Sequence, residues 1–283
     1  SNNTATGYQA LTANTTGAQN VAVGANALLA NTTGASNTAI GHDILKANTT
    51  GFNATAVGRL ALQANTTGQE NVAIGMQTLQ ANTTGNQNTA VGSFALYTNT
   101  TASSNTAVGE RALRVVTTGS YNTGIGRYAG DVTTTGQYNI TIGYGSDPTS
   151  ATVSGQCTLG DSNISNLRCN DTSISALSDQ RDKTEIVDSP YGLEFIKTVQ
   201  PRQFKWETRD GNVKDGSTRI GFIAQELLTA CDGENNILDL VLDDNTDKLE
   251  AKYGNLLPIM VQAIKELSTK NDALVARITA LEA

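Results

Sequence analysis

The sequence predicts a mostly β repeat solenoid over residues 1–147, a slender neck over 148–177, and an α+β domain over 178–283 that ends in a helical coiled coil. Three observations point there. Glycines recur every 17 residues through the first half. The composition then changes at the stretch ALSDQRDKTEI, from repetitive and nearly uncharged to irregular and charged. Finally, residues 256–283 carry apolar side chains at alternating spacings of four and three, the signature of a coiled-coil helix.

The repeat comes first in the chain. Gly24, Gly41, Gly58, Gly75, Gly92, Gly109, Gly126 and Gly143 stand 17 residues apart. Leu28, Leu45, Leu62, Leu79, Leu96 and Leu113 form a second column, and Asn20, Asn37, Asn71, Asn88, Asn105, Asn122 and Asn139 a third. A fixed period of this kind marks a repeat architecture. Seventeen residues are too few for a helix pair. In the consensus NTAVGxxALxANTTGxx, the NTAVG part alternates small residues with strand formers. The ANTTG part is turn chemistry, where Asn bonds nearby backbone and Gly accepts positive φ. Two short strands and two turns per coil are therefore expected, each coil stacking on the next. Each coil adds about 4.8 Å, so some eight coils span about 40 Å. Small inward alanines imply a thin core, which favours side-by-side packing of several rods.

Two features of the ladder invite other readings. NTT matches the N-glycosylation pattern, but its period is the structural one, so it reads as a turn ladder of stacked Asn and Thr. His42 follows a repeat glycine where other coils place Ala25, Arg59, Met76, Ser93, Glu110 and Arg127. A position that accepts all of these faces solvent, and no metal site is expected.

The period loosens at SDPTSATVSGQ. Leu159, Ile164, Leu167, Cys169, Ile174 and Leu177 then stand among small polar residues. Strands this short bury too little surface alone. Three copies wrapped into one prism, a triple β-helix, would bury more; a polar linker is the alternative.

Beyond residue 178 the composition is globular. SPYGLEFIKTVQP reads as a short helix with Leu193, Phe195, Ile196 and Val199 apolar. A strand is expected near Phe204 to Trp206 and another near Ile220, with a polar hairpin tip between them. A helix carrying Ile223, Leu227 and Leu228 follows, and Trp206 is expected in the core. In the last helix, Met260, Ile264, Leu267, Asn271, Leu274, Ile278 and Leu281 form a heptad seam. Asn271 is the polar member that fixes register and oligomer number at some cost in stability. The alternative is an amphipathic helix packed on its own domain.

Charge narrows the function classes. The 283 residues carry 19 Lys and Arg against 26 Asp and Glu, a net charge of -7. Nucleic-acid binding through a general basic surface is not expected. Residues 1–150 hold five basic and five acidic side chains, so the excess lies in the second half. Cys157, Cys169 and Cys231 are too few and scattered for a disulfide framework or a zinc site. No apolar run approaches the roughly 20 residues of a membrane span, and residues 1–30 carry no basic, apolar signal segment. The ladder has no recurrent carboxylate pair for glycoside hydrolysis. No cofactor is expected.

The ladder, through its NTAVG and NTAIG cores, resembles the left-handed β-roll of trimeric bacterial adhesin heads and similar repeats in bacteriophage tail fibres. The neck resembles the triple β-helix that precedes the chaperone domain in such fibres. The blocks SDQRDKTEI, LEFIKTVQPRQFKW, GFIAQEL and YGNLLPIMVQAIKEL, in that order, resemble the self-cleaving intramolecular chaperone domain that ends bacteriophage tail spikes, endosialidases and tail fibres. A related domain occurs in myelin regulatory factor.

That resemblance implies a homotrimeric tail fibre or spike, carried on the virion and assembled in the host cytoplasm. Its terminal domain would drive trimerisation and then be released. Matched position by position, it implies cleavage between Leu177 and Ser178, with Ser178 as nucleophile and Lys183 as its partner. Asp179, Arg181 and Ile186 match the signature too and are expected to hold the local fold; the roles of Gln225 and Glu226 are open.

The chemistry is coherent with that assignment. A serine hydroxyl needs a base, and no histidine is present beyond residue 178 to supply one. A lysine serves if desolvation disfavours its ammonium. The hydroxyl either attacks the Leu177 carbonyl directly or assists another route, and a backbone N–H must stabilise the oxyanion. The plainer reading is an N-cap serine with a solvated lysine. A second function class is a surface adhesin whose ladder contacts a bacterial receptor or glycan, with the terminal domain as a permanent trimerisation module.

Overall fold

The computed structural model describes residues 2–164, 167–168, 178–205, 216–247 and 249–282. The chain forms two compact units, Ser1–Ile164 and Ser165–Ala283.

The first unit is a β-solenoid. Ten three-residue strands, from β1 (Thr4–Thr6) to β10 (Cys157–Leu159), form one parallel sheet in sequence order. Successive strands pair with a constant offset of 17, as in Ala22↔Ala39 and Ala39↔Ala56. The central alanines Ala22, Ala39, Ala56, Ala73, Ala90 and Ala107 point inward and are fully buried, beside the equally buried leucine column. Alanine suits this place because Leu28, Leu45 and their equivalents already fill the narrow interior.

The repeat glycines are dictated by close stacking. Gly24 has φ of 130°, and a Cβ there would run into the carbonyl of Gly41 one coil on. No other residue combines that backbone with that approach.

Polar side chains complete the interior. Asn31 donates from Nδ2 to Asn14 Oδ1 at 3.0 Å, Asn48 to Asn31 at 2.8 Å, and the ladder continues through Asn65 and Asn82 to Asn99. These are the asparagines of the NTT triplets. Asn31, Asn48, Asn65, Asn82 and Asn99 are fully buried, and each donates from Nδ2 to the rung before it, as a structural ladder requires. In the other Asn column, each carbonyl accepts the backbone N–H one coil on, as in Asn37 N–H to Asn20 Oδ1 at 3.0 Å. Threonine hydroxyls add a third row, such as Thr32 Oγ1 to Thr49 O at 3.1 Å.

Two details differ from the sequence reading. Each coil forms one strand, not two. The leucine side is held coil to coil, with Leu28 N–H bonded to Ile44 O at 3.1 Å, but Asn26 and Leu28 sit at φ of 58° and 51°. That left-handed backbone is incompatible with an extended strand. The register also runs past residue 147: β10 pairs with β9 (Ile140–Ile142) at the same offset, and Gln156 N–H bonds Asn139 Oδ1 at 3.0 Å.

The second unit is a small α/β region followed by one long helix. α1 (Leu193–Thr198) packs on the C-terminal helix. β11 (Arg202–Lys205) and β12 (Thr218–Gly221) pair antiparallel. After α2 (Ala224–Ala230) and α3 (Asn235–Leu238), β13 (Val241–Leu242) pairs with β14 (Glu250–Ala251). The helix α4 covers Leu256–Glu282. Leu227, Cys231, Leu238, Leu240, Val241, Leu256 and Ile259 form the core, with Phe195, Ile196, Val199 and Leu228 against it. Burial pushes the Cys231 thiol up, which suits an inert packing residue, whereas Cys157 is exposed. Trp206, Cys169, Ile174 and Leu177 lie outside the described residues.

Candidate active site

The stretch Ser178–Lys183 folds on its own local rules. Asp179 has extended backbone, and its Oδ1 accepts the N–H of Arg181 at 2.9 Å. This caps a single 3-10 turn at Gln180–Asp182, which closes when Lys183 N–H donates to Gln180 O at 3.1 Å. The Arg181 guanidinium returns to Asp179 Oδ2 at 2.6 Å. That guanidinium, and then the Arg181 N–H, hold the Asp179 carboxyl below its ordinary range, so Asp179 stays an acceptor.

The turn reverses the chain and brings together the two residues singled out from the sequence. Lys183 Nζ lies 2.5 Å from Ser178 Oγ and 3.3 Å from Ser178 O. Asp179 and Arg181 brace the turn between them. As an ammonium, Lys183 donates to Oγ and stabilises charge there; as a neutral amine it would take the hydroxyl proton. All four side chains are exposed.

Two contacts escaped the sequence reading. Arg202 on β11 grips Glu226 on α2 with two guanidinium nitrogens, both at 2.8 Å, and Arg202 holds the Glu226 carboxyl low. Thr198, Gln200, Arg202, Gln225, Glu226 and Thr229 line an open groove there of about 540 Å³. Glu266 on α4 accepts the Leu193 N–H at 2.9 Å, capping α1 in place of a side chain on Gly192. Neither pair is close in sequence, so no local motif announces it.

The heptad residues of α4 stand apart from the core. Leu256, Ile259 and Ala263 are buried against the domain, while Met260, Ile264, Leu267, Leu274, Ile278 and Leu281 are exposed, as is Asn271. His42 sits on the solenoid surface beside Asp43, Nδ1 to Oδ2 at 3.1 Å. Among the described residues no cluster of His, Cys, Asp or Glu could hold a metal ion, and no helix is long and apolar enough to cross a membrane.

Comparison with known proteins bears on this site. Residues 178–235 match a peptidase family described as chaperone of endosialidase. The match opens on Ser178 and takes in Lys183, the bracing turn, and the Arg202–Glu226 pair. No curated protein and no solved structure matches the chain. The solenoid and the matched segment together fit a tail fibre with an endosialidase-type chaperone domain. Such a family implies a self-cleaving peptidase and suggests a tail-fibre-type protein with a trimerisation and chaperone domain.

Proposed function

We propose that this chain is a homotrimeric viral tail fibre whose terminal domain assembles the trimer and then releases itself by cutting the Leu177–Ser178 bond. The observation that carries the proposal is the 2.5 Å approach of Lys183 Nζ to Ser178 Oγ, at the first residue of the matched family segment.

In the proposed reaction, neutral Lys183 takes the Ser178 hydroxyl proton and Oγ attacks the Leu177 carbonyl carbon. The tetrahedral intermediate collapses with loss of the Ser178 amine, which recovers the proton from Lys183. The product is an ester between the Leu177 acyl group and Ser178 Oγ, which water hydrolyses. The exposed dyad suits a late step. Neighbouring subunits would exclude water from the dyad, so the cut would follow assembly.

Exposed apolar surface supports the trimer. The α4 seam is exposed among the described residues. The outward side of the solenoid sheet is an uncharged row of Val23, Ile40, Val57, Ile74, Val91, Val108, Ile125 and Ile142, with Ile40, Ile74, Ile125 and Ile142 40–42% exposed. A stripe of that length calls for a partner surface. Gathering three chains at α4 raises the local concentration of segments whose non-local pairing is slow. Loss of the chaperone domain then leaves the fibre kinetically trapped. The fibre would be carried on the virion after assembly in the host cytoplasm and would meet a bacterial surface receptor.

Ser178→Ala and Lys183→Ala should each leave a full-length trimer where the unaltered chain yields two fragments. Intact-mass measurement reads this directly, and a short product from either variant overturns the dyad. An uncut but trimeric unaltered chain would instead favour the permanent trimerisation module of an adhesin.

A further inference from the structure

The tail end of the solenoid carries two tyrosines that its own packing does not require. Tyr121 and Tyr138 occupy one column in successive coils, with ring centroids 4.9 Å apart and planes 2° from parallel. They are 52% and 60% exposed. Earlier coils fill that column with Gln19, Ser36, Asn53, Glu70, Gln87 and Ser104. Both tyrosines hold left-handed backbone, φ of 63° and 58°, where a bulky side chain is unfavourable. Their rings therefore cost backbone energy and still face water.

The next residue in the column is Gly155, at φ of 75°, and a Cβ there would meet nothing within 4 Å. The stack ends in a step. One face of Tyr138 lies against Tyr121, and the other looks over Gly155 across a gap one coil high, about 4.8 Å. That height admits one saturated ring stacked on the aromatic face. Beside the step, Ser154 Oγ accepts the Gln137 N–H at 2.9 Å, which leaves its hydroxyl proton to donate outward. The exposed Gln137 amide adds a donor and an acceptor. The adjoining column along this corner, Ser103, Ser120, Gln137 and Ser154, is all neutral.

We infer that this step binds a neutral hexopyranose of a bacterial surface glycan, its C–H face on Tyr138 and its hydroxyls on Ser154 and Gln137. A flat apolar platform with uncharged hydrogen-bonding groups at its rim suits an uncharged sugar. The inference rests on the fibre reading for the source of the ligand.

The test is titration of the full chain with oligosaccharides of glucose, galactose and N-acetylglucosamine, with cleavage before Ser178 read on the same sample. Tyr138→Ala should weaken binding about tenfold, while Tyr138→Phe keeps it. Gly155→Asn, which tolerates the backbone, should abolish binding by filling the step. The inference falls if none of these sugars binds, if binding ignores Tyr138→Ala, or if that variant instead changes the oligomeric state. Lost binding with normal cleavage indicts the sugar site alone; normal binding without cleavage indicts the self-cleavage reading.

Discussion

Glu266 ties two helices of the terminal domain together from a single position. Its carboxylate accepts the first N–H of α1 from a residue 73 positions away in sequence, so it joins two helices with one group. The Leu193 N–H, then the Gln262 amide, hold its pKa below the ordinary 4.5. A depressed carboxylate stabilises the folded state fully above its unfolded pKa, and the contribution fades as pH falls through the folded value. Glu266→Gln should therefore lower the melting point of the terminal domain at pH 7. The gap from the unaltered chain should close below pH about 4.5. Thermal melts from pH 7 to pH 3 check this, and a gap that stays constant with pH would remove the charge from the explanation. Glu194 and Glu226 shift the same way, so the whole domain should lose stability in acid.

The solenoid ladder contains one broken rung. Val116 takes the place of an asparagine and is fully buried. Asn99 Oδ1 below it and Thr133 Oγ1 above it are left buried without a hydrogen-bond partner. Val116→Asn would accept from Thr133 and donate to Asn99, repeating the pattern of every earlier rung. Each restored bond is worth about 1 kcal/mol, so the solenoid transition in calorimetry should move up. A lower midpoint would mean that the valine packing outweighs both bonds. The ladder was legible because glycine, leucine and asparagine recur in phase, and phase survives any local ambiguity. The single strand per coil was not. Leucine has little affinity for left-handed backbone, and the stacked coils override that preference. Ser178 and Lys183 were singled out by a resemblance that four blocks carry together, and a 3-10 turn spans their separation. Arg202 with Glu226, and Glu266 with Leu193, are joined only by tertiary packing, which no short window of sequence encodes.

Across the whole molecule, the proposed function links assembly to cleavage through the exclusion of water. Among the described residues the dyad side chains are exposed, and so is the α4 seam. Placing a charge in the seam should separate the two reactions without touching the core, because Ile264 and Leu274 are exposed at 64% and 54%. Ile264→Asp with Leu274→Asp should sediment as a monomer and remain uncut, although Ser178 and Lys183 are intact. A monomer that still cuts itself would show that the dyad needs no neighbour. Tail-fibre logic favours the dependent order, since a chain cut before it had found its partners would lose the domain that gathers them.

The asparagine rungs have a thermal consequence. Melting a rod whose interior is amide as much as hydrocarbon wets both kinds of surface, and the two change heat capacity in opposite directions. The stability curve of such a rod is shallow. It forfeits little in the cold, where oily cores weaken.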